Sequence, residues 1–220
     1  MAVRIDVVSD VVCPWCFIGK RRLARALEMR PEVEFDVHWR PYMLDPNVPR
    51  GGLDRRAYMK AKFGDGPNVQ AMGEALRDTG LEEGIAFAFD RIERTPNTLD
   101  AHRLIGLAEG QGVQGAVVEA LFRAYLTEGR DISNCQTLLE VVAGAGLDRH
   151  EAEAVLKSDD GLEAVKETDA LARRFRVEGV PFFVVYGTLT LSGAQQPDAF
   201  LAVFRQATGS LGQADSSTPS

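Results

Sequence analysis

The chain has 220 residues, 45% hydrophobic and 26% charged, which suits a globular protein of one or two domains with a substantial core. A formal net charge of −7 with no Lys/Arg-rich run argues against nucleic acid as a main partner. No apolar stretch approaches the roughly 20 residues that span a bilayer, and Met1–Asp6 enters a strand pattern without the apolar core of a signal peptide. A cytoplasmic location with no membrane partner is therefore expected. Three cysteines, one unpaired by count, agree with a reducing compartment.

The first element is a strand, from the apolar run Val3, Ile5, Val7, Val8, and a helix is predicted from Pro14 to about Met29. Cys13-Pro14-Trp15-Cys16 stands at their junction, which puts the first thiol at a helix N-terminus. Unpaired backbone N–H groups and the positive end of the helix dipole favour a thiolate there. Cysteines in such settings have pKa values lowered from about 8.5 to roughly 3.5–7.5, and the thiolate is the nucleophile of disulfide exchange. The expected roles are attack by Cys13 and resolution by the more covered Cys16. Pro14 fits the first turn, where its missing N–H costs nothing.

Two other readings compete. A structural zinc site needs two more ligands, and Cys135, His38, His102 and His150 contain no pair at ligand spacing. Two inert buried cysteines are the second alternative; Pro and Trp between them, directly after a strand, argue against it.

Val33, Phe35, Val37 and Trp39 alternate with polar residues and predict a second strand, with His38 on its exposed face. A Pro- and Gly-rich loop follows from Arg40 to Gly52, long enough to be functional or to lead into another subdomain. From Asp54 to Arg176 the pattern is helical. Helices are predicted at 54–63 and 67–79, from Asn97 or Thr98 as cap, around Val117–Tyr125 and Leu138–Val142, at 149–157 and at 160–176. Phe87–Phe89 reads as irregular or extended. Val180–Tyr186 and Leu189–Leu191 read as strands joined at Gly187-Thr188, with Gly187 first of two central turn residues. Pro197 opens a last helix, and Gly209–Ser220 reads as a disordered tail. One parallel βαβ unit and one hairpin flanking a helical block imply an α/β fold with a mixed sheet.

Four stretches carry a resemblance to a known family. They are Ser9-Asp10-Val11-Val12-Cys13-Pro14-Trp15-Cys16; Pro96-Asn97-Thr98 with Ala101-His102-Arg103; Leu121–Tyr125 with Glu128–Ile132; and Gly179-Val180-Pro181-Phe182-Phe183 leading to Ser192–Gln195. Together they span most of residues 3–206, and the chain resembles DsbA-like thioredoxin-fold proteins of the FrnE-type branch. That branch is related to 2-hydroxychromene-2-carboxylate isomerases and kappa-class glutathione transferases. The resemblance implies a thioredoxin-like domain (residues 1–50 and 160–208) interrupted by an all-helical insertion (51–159). It implies a cis Pro181 beside the cysteine pair, with the Val180 backbone aligning an extended partner, and only proline makes a cis bond cheap.

The activity so implied is thiol–disulfide oxidoreduction or isomerisation on protein or small-molecule disulfides, with glutathione or thioredoxin as redox partner. Pro14, Trp15, Val180, Pro181 and Asn97 are the expected substrate-contacting residues. No metal and no tightly bound cofactor is implied. The alternative is a glutathione-dependent isomerase or transferase acting on an aromatic or polyketide-like small molecule, with glutathione as co-substrate. Those relatives usually carry Ser at the first cysteine position and lack the second cysteine, so having both favours redox chemistry. The family also commonly buries an acid behind the pair; Asp6 and Asp10 are the nearest, though an exposed loop or strand-edge position suits each as well. His102 reads as a histidine at a helix interface or a group facing the cleft, Cys135 as an inert helix cysteine, and Lys20, Arg21 and Arg22 as a solvated helix face.

Overall fold

The structure, a computed structural model, describes residues 2–214. Strand β1 (Val3–Ser9) leads into helix α1 (Pro14–Glu28) and returns as β2 (Phe35–Pro41), parallel to β1 with Val3 opposite Phe35. After a helical block, β5 (Phe182–Val185) runs antiparallel to β1 and pairs with β6 (Leu189–Ser192), giving the order β2-β1-β5-β6. The sheet is mixed, and the architecture is the thioredoxin-like one expected.

Between β2 and β5 lie a two-residue ladder, β3 (Leu53–Asp54) with β4 (Arg94–Thr95), and seven helices. These are α2 (Arg55–Phe63), α3 (Pro67–Glu82), α4 (Leu99–Gly110), α5 (Gln114–Leu126), α6 (Cys135–Gly144), α7 (Arg149–Lys157) and α8 (Leu162–Arg174). The helical periodicity sets most of these bounds to within a residue or two.

Central position explains why β1 carries apolar side chains: Val3, Ile5 and Val7 are fully buried. Phe17 of α1 stacks on Phe122 of α5 at 5.1 Å, and Trp39 of β2 meets the same ring edge-on, so three elements lock around one aromatic cluster. The last helix, α9 (Pro197–Ala214), closes the other end through Phe200 on Phe183 and Phe204 on Phe35.

Several expectations need correction. β2 starts at Phe35 rather than Val33 and extends to Pro41. Phe89–Arg91 form a short 3-10 turn, with Phe87 buried and stacked on Phe89. The β5–β6 turn centres on Tyr186 and Gly187, both at positive φ (53° and 73°), so Gly187 is the second central residue, as in a type I′ turn. Helix α9 continues past Gly209 to Ala214; the rest of the expected disordered tail lies outside the described residues. No described helix is long and apolar enough to cross a membrane.

Candidate redox site

The chain leaves β1 at Ser9, turns through Asp10–Val12, and enters α1 with Cys13 as its N-cap residue. The Cys13 amide donates to the Asp10 carbonyl at 3.0 Å, and the Cys16 amide donates to the Cys13 carbonyl at 3.0 Å. A tight turn followed at once by the helix thus stacks the two cysteines. Both are free, buried thiols: Cys16 is fully buried and Cys13 is 5% exposed, two residues before a half-exposed Trp15.

The Val180–Pro181 bond is cis, as the resemblance implies, and the Cys13 thiol donates to the Val180 carbonyl at 3.6 Å. Four of the expected site residues (Cys13, Cys16, Val180 and Pro181) therefore come together, with Pro14 and Trp15 in the same turn. Gly19 makes this possible. A Cβ there would lie 2.8 Å from Pro181 Cγ and 3.2 Å from Phe183 Cζ, so only glycine lets α1 sit this close to the proline. The sequence held a signal for it, because glycine inside an amphipathic helix costs about 1 kcal/mol and so marks a close approach.

Asn97 has a different place. Its Nδ2 donates to the Val48 carbonyl at 2.6 Å and its Oδ1 accepts from the Leu99 amide at 2.9 Å, so the side chain ties the 41–52 loop to the start of α4. The same loop is pinned at Met43, whose amide donates to the buried Asp169, and at Leu44, whose amide donates to Asp10 Oδ2, both at 2.8 Å. The loop is thereby fixed against the redox turn, with Leu44 exposed at its edge.

Burial dominates the electrostatics of Cys16 and pushes its thiol well above the ordinary 9.0; a hydrogen bond to Cys13 and repulsion from it add to the rise. Contacts to the Asp10 backbone and the Ser9 side chain pull the other way without reversing it. Asp10 is only 1% exposed, which settles its place as interior rather than loop surface, and its Oδ1 faces His102 Nε2 at 3.5 Å. Neither facing atom has a protein hydrogen bond within ordinary length among the described residues.

The basic residues beside the motif are paired rather than simply solvated. Lys20 and Arg21 bind Glu119, while Arg22, buried, binds Glu83 at 2.7 Å and the Ala194 carbonyl at 2.6 Å. His38, expected on an open face, sits half-buried between Asp36 and Glu109. Cys135 is exposed at the start of α6, capped by Asn134. No group of three or more His, Cys, Asp or Glu side chains among the described residues could hold a metal ion.

Comparison with known proteins agrees with this geometry. A probable DsbA oxidoreductase from Streptomyces coelicolor is 32% identical, with a TM-score of 0.84 over 94% of this chain and 90% of its own. A 2-hydroxychromene-2-carboxylate isomerase shares the fold at 19% identity and TM-score 0.63, covering 99% of this chain and all of its own (100%). The cytosolic disulfide reductase DsbM from Pseudomonas aeruginosa, solved with GSH, does so at 22% identity and TM-score 0.60, covering 92% of this chain and 98% of its own. The model of the DSBA-like thioredoxin domain matches residues 4–205, nearly the whole length over which the cysteine turn, the cis-proline and the helical block are built, and the chain belongs to that family.

Proposed function

We propose that the protein is a cytoplasmic thiol–disulfide oxidoreductase or disulfide isomerase that uses Cys13-Pro14-Trp15-Cys16 as its redox centre. The observation that carries this reading is the pairing of Cys13, at the helix N-terminus and facing the Val180 carbonyl at 3.6 Å, with a more deeply buried Cys16 one helical turn away. In the reductive direction the Cys13 thiolate attacks one sulfur of a substrate disulfide. A mixed disulfide forms, and the first substrate thiolate leaves with its electron pair. Cys16 then gives up its proton and attacks the Cys13 sulfur. The Cys13–Cys16 disulfide forms and the second thiolate leaves, so two electrons pass to the substrate. In this reading the Val180 backbone, whose carbonyl accepts from the Cys13 thiol in the free protein, aligns an extended partner beside the bond that exchanges.

Burial of Cys16 fits the order of events, since it disfavours the Cys16 thiolate until the mixed disulfide supplies a target. An external thiol, glutathione or thioredoxin, returns the pair to the dithiol; glutathione is supported by the GSH complex of DsbM. The second cysteine supports redox exchange over glutathione-dependent isomerisation, which has no use for a buried thiol at this spacing. The test is trapping with hydroxyethyl disulfide followed by mass spectrometry. Cys16→Ser should accumulate an adduct at Cys13 and Cys13→Ser should form none at Cys16. An adduct found at Cys135 alone would refute the assignment.

A further inference from the structure

The two edges of the four-stranded sheet differ in how they are protected. At the β2 edge, the outward N–H and C=O of Trp39 are both held by the buried Gln114 side chain, at 2.9 and 3.2 Å. The same strand carries Asp36, His38 and Arg40 and ends on Pro41. Cover, charge and proline are the devices that keep a sheet edge from pairing with another chain. Strand β6, at the other edge, has none of them. It reads Leu189-Thr190-Leu191-Ser192, with Thr190 and Ser192 exposed, and no charged residue lies between Glu178 and Asp198.

The register says which groups this edge presents. The Tyr186 N–H donates to the Arg4 carbonyl at 2.9 Å and the Gly193 N–H to the Pro181 carbonyl at 2.8 Å. With Phe183 opposite Leu191 and Val185 opposite Leu189, the alternation turns the backbone of Thr190 and Ser192 away from β5. No described strand lies beyond β6. One outward group is in use, because the Ser192 carbonyl accepts from Gln195 Nε2 at 2.7 Å. In the adjoining turn the Thr188 N–H donates to the Val185 carbonyl at 3.3 Å.

We propose that β6 joins two copies of this chain, paired antiparallel about a two-fold axis at Thr190, so that two sheets become one continuous sheet. Thr190 N–H then donates to the partner's Thr190 carbonyl and the bond is returned. Ser192 N–H stands opposite the partner's Thr188 carbonyl, once on each side of the axis. The groups already in use, Thr188 N–H and Ser192 C=O, fall opposite one another, so no existing hydrogen bond has to break. An identical strand meets this pattern by symmetry, as an isologous contact requires. The two Thr190 side chains form a favourable cross-strand pair with no like charge between them. Asp215–Ser220, beyond α9, hold an aspartate, a proline and no aliphatic or aromatic side chain, a poor composition for a covering strand. Because Ser192 leads into Gly193 beside Pro181, antiparallel pairing sends the two redox turns to opposite ends of the joined sheet. The contact is therefore independent of the redox reading, and turnover per chain should not depend on it.

A pair of short strands is a small interface, in the class below about 1,200 Å² that associates weakly, so the test is sedimentation of the full chain over a wide concentration series. A reversible monomer–dimer equilibrium is expected. Each copy carries a net charge of −7, so association should tighten severalfold between about 0.05 and 0.5 M salt as repulsion is screened. Thr190→Lys sets two ammonium groups against each other at the axis and should weaken the dimer at least tenfold. Its thermal midpoint should be unchanged and its disulfide turnover within twofold of the parent, while Thr190→Val should still dimerise. Amide exchange at Thr190 and Ser192 should slow as the parent concentration rises and stay fast in Thr190→Lys. A parent that remains monomeric throughout overturns the proposal, as does a dimer that survives Thr190→Lys with both amides exchanging fast. Protection of the two amides in the monomer, or only after an unfolded reduced polypeptide is added, overturns it too, in favour of cover by the chain itself or by a client strand.

Discussion

Replacing Gly19 by alanine perturbs the site without touching any reacting atom. Carbon atoms pack best at about 3.5–4.0 Å, whereas the new Cβ would start 2.8 Å from Pro181 Cγ and 3.2 Å from Phe183 Cζ. The pyrrolidine ring cannot swing aside and Phe183 is fully buried, so the 180–181 backbone must retreat, by roughly 0.7 Å or more if contact distance is restored. Overpacking of this kind costs about 1–3 kcal/mol, offset by about 1 kcal/mol of helix propensity gained from Gly→Ala. The net expectation is a loss of about 0–2 kcal/mol, together with slower disulfide reduction because the Val180 carbonyl moves from Cys13. Gly106 of α4, with nothing within 4 Å of its would-be Cβ, is the control. Gly106→Ala should gain about 0.5–1 kcal/mol and leave the rate alone. Urea denaturation of the reduced proteins and turnover of a small disulfide measure both effects. Equal stability and equal rates for the two variants would refute the claim that Gly19 sets the position of Pro181.

Two further outcomes follow from the same structure. Below the ordinary thiol value of 9.0 both folded and unfolded chains keep the Cys16 proton; above it the unfolded chain releases that proton first. The reduced protein should therefore lose stability relative to Cys16→Ser as pH rises from 9 to 10, at up to about 1.4 kcal/mol per unit; parallel pH curves would contradict the burial argument. Asn97→Ala removes both bonds that tie Val48 and Leu99 together. A loss of about 1–3 kcal/mol and faster proteolysis within residues 41–52 are expected, and an unchanged cleavage rate would show that the loop is held elsewhere.

How much of this was legible in the chain depends on the length scale of each interaction. Helices α2 to α8 announce themselves because an amphipathic stripe repeats over several turns. The β3–β4 ladder does not, since two residues carry no periodicity. Cys13-Pro14-Trp15-Cys16 is readable because nucleophile, helix start and resolving thiol are neighbours in sequence. The partnership of Asp10 with His102 is not, because only the packing of α4 against the redox turn brings them together. Gly187 suits either the first central position of a type II′ turn or the second of a type I′ turn; strand register decides for Tyr186–Gly187, with Val185 opposite Leu189. Likewise Asn97 reads as a polar group near a cleft, and only the path of the 41–52 loop shows that both ends of its amide hold backbone.

The central claim is that Cys13 and Cys16 form a reversible redox pair, and equilibration against a glutathione buffer tests it most directly. Quenching by acid, alkylation and mass spectrometry would follow the fraction of disulfide. The account predicts a single two-electron transition confined to Cys13 and Cys16, lost in either serine variant and indifferent to Cys135→Ser. A chain that stays in the dithiol form across the whole buffer range, or forms only glutathione adducts at Cys13, would contradict it.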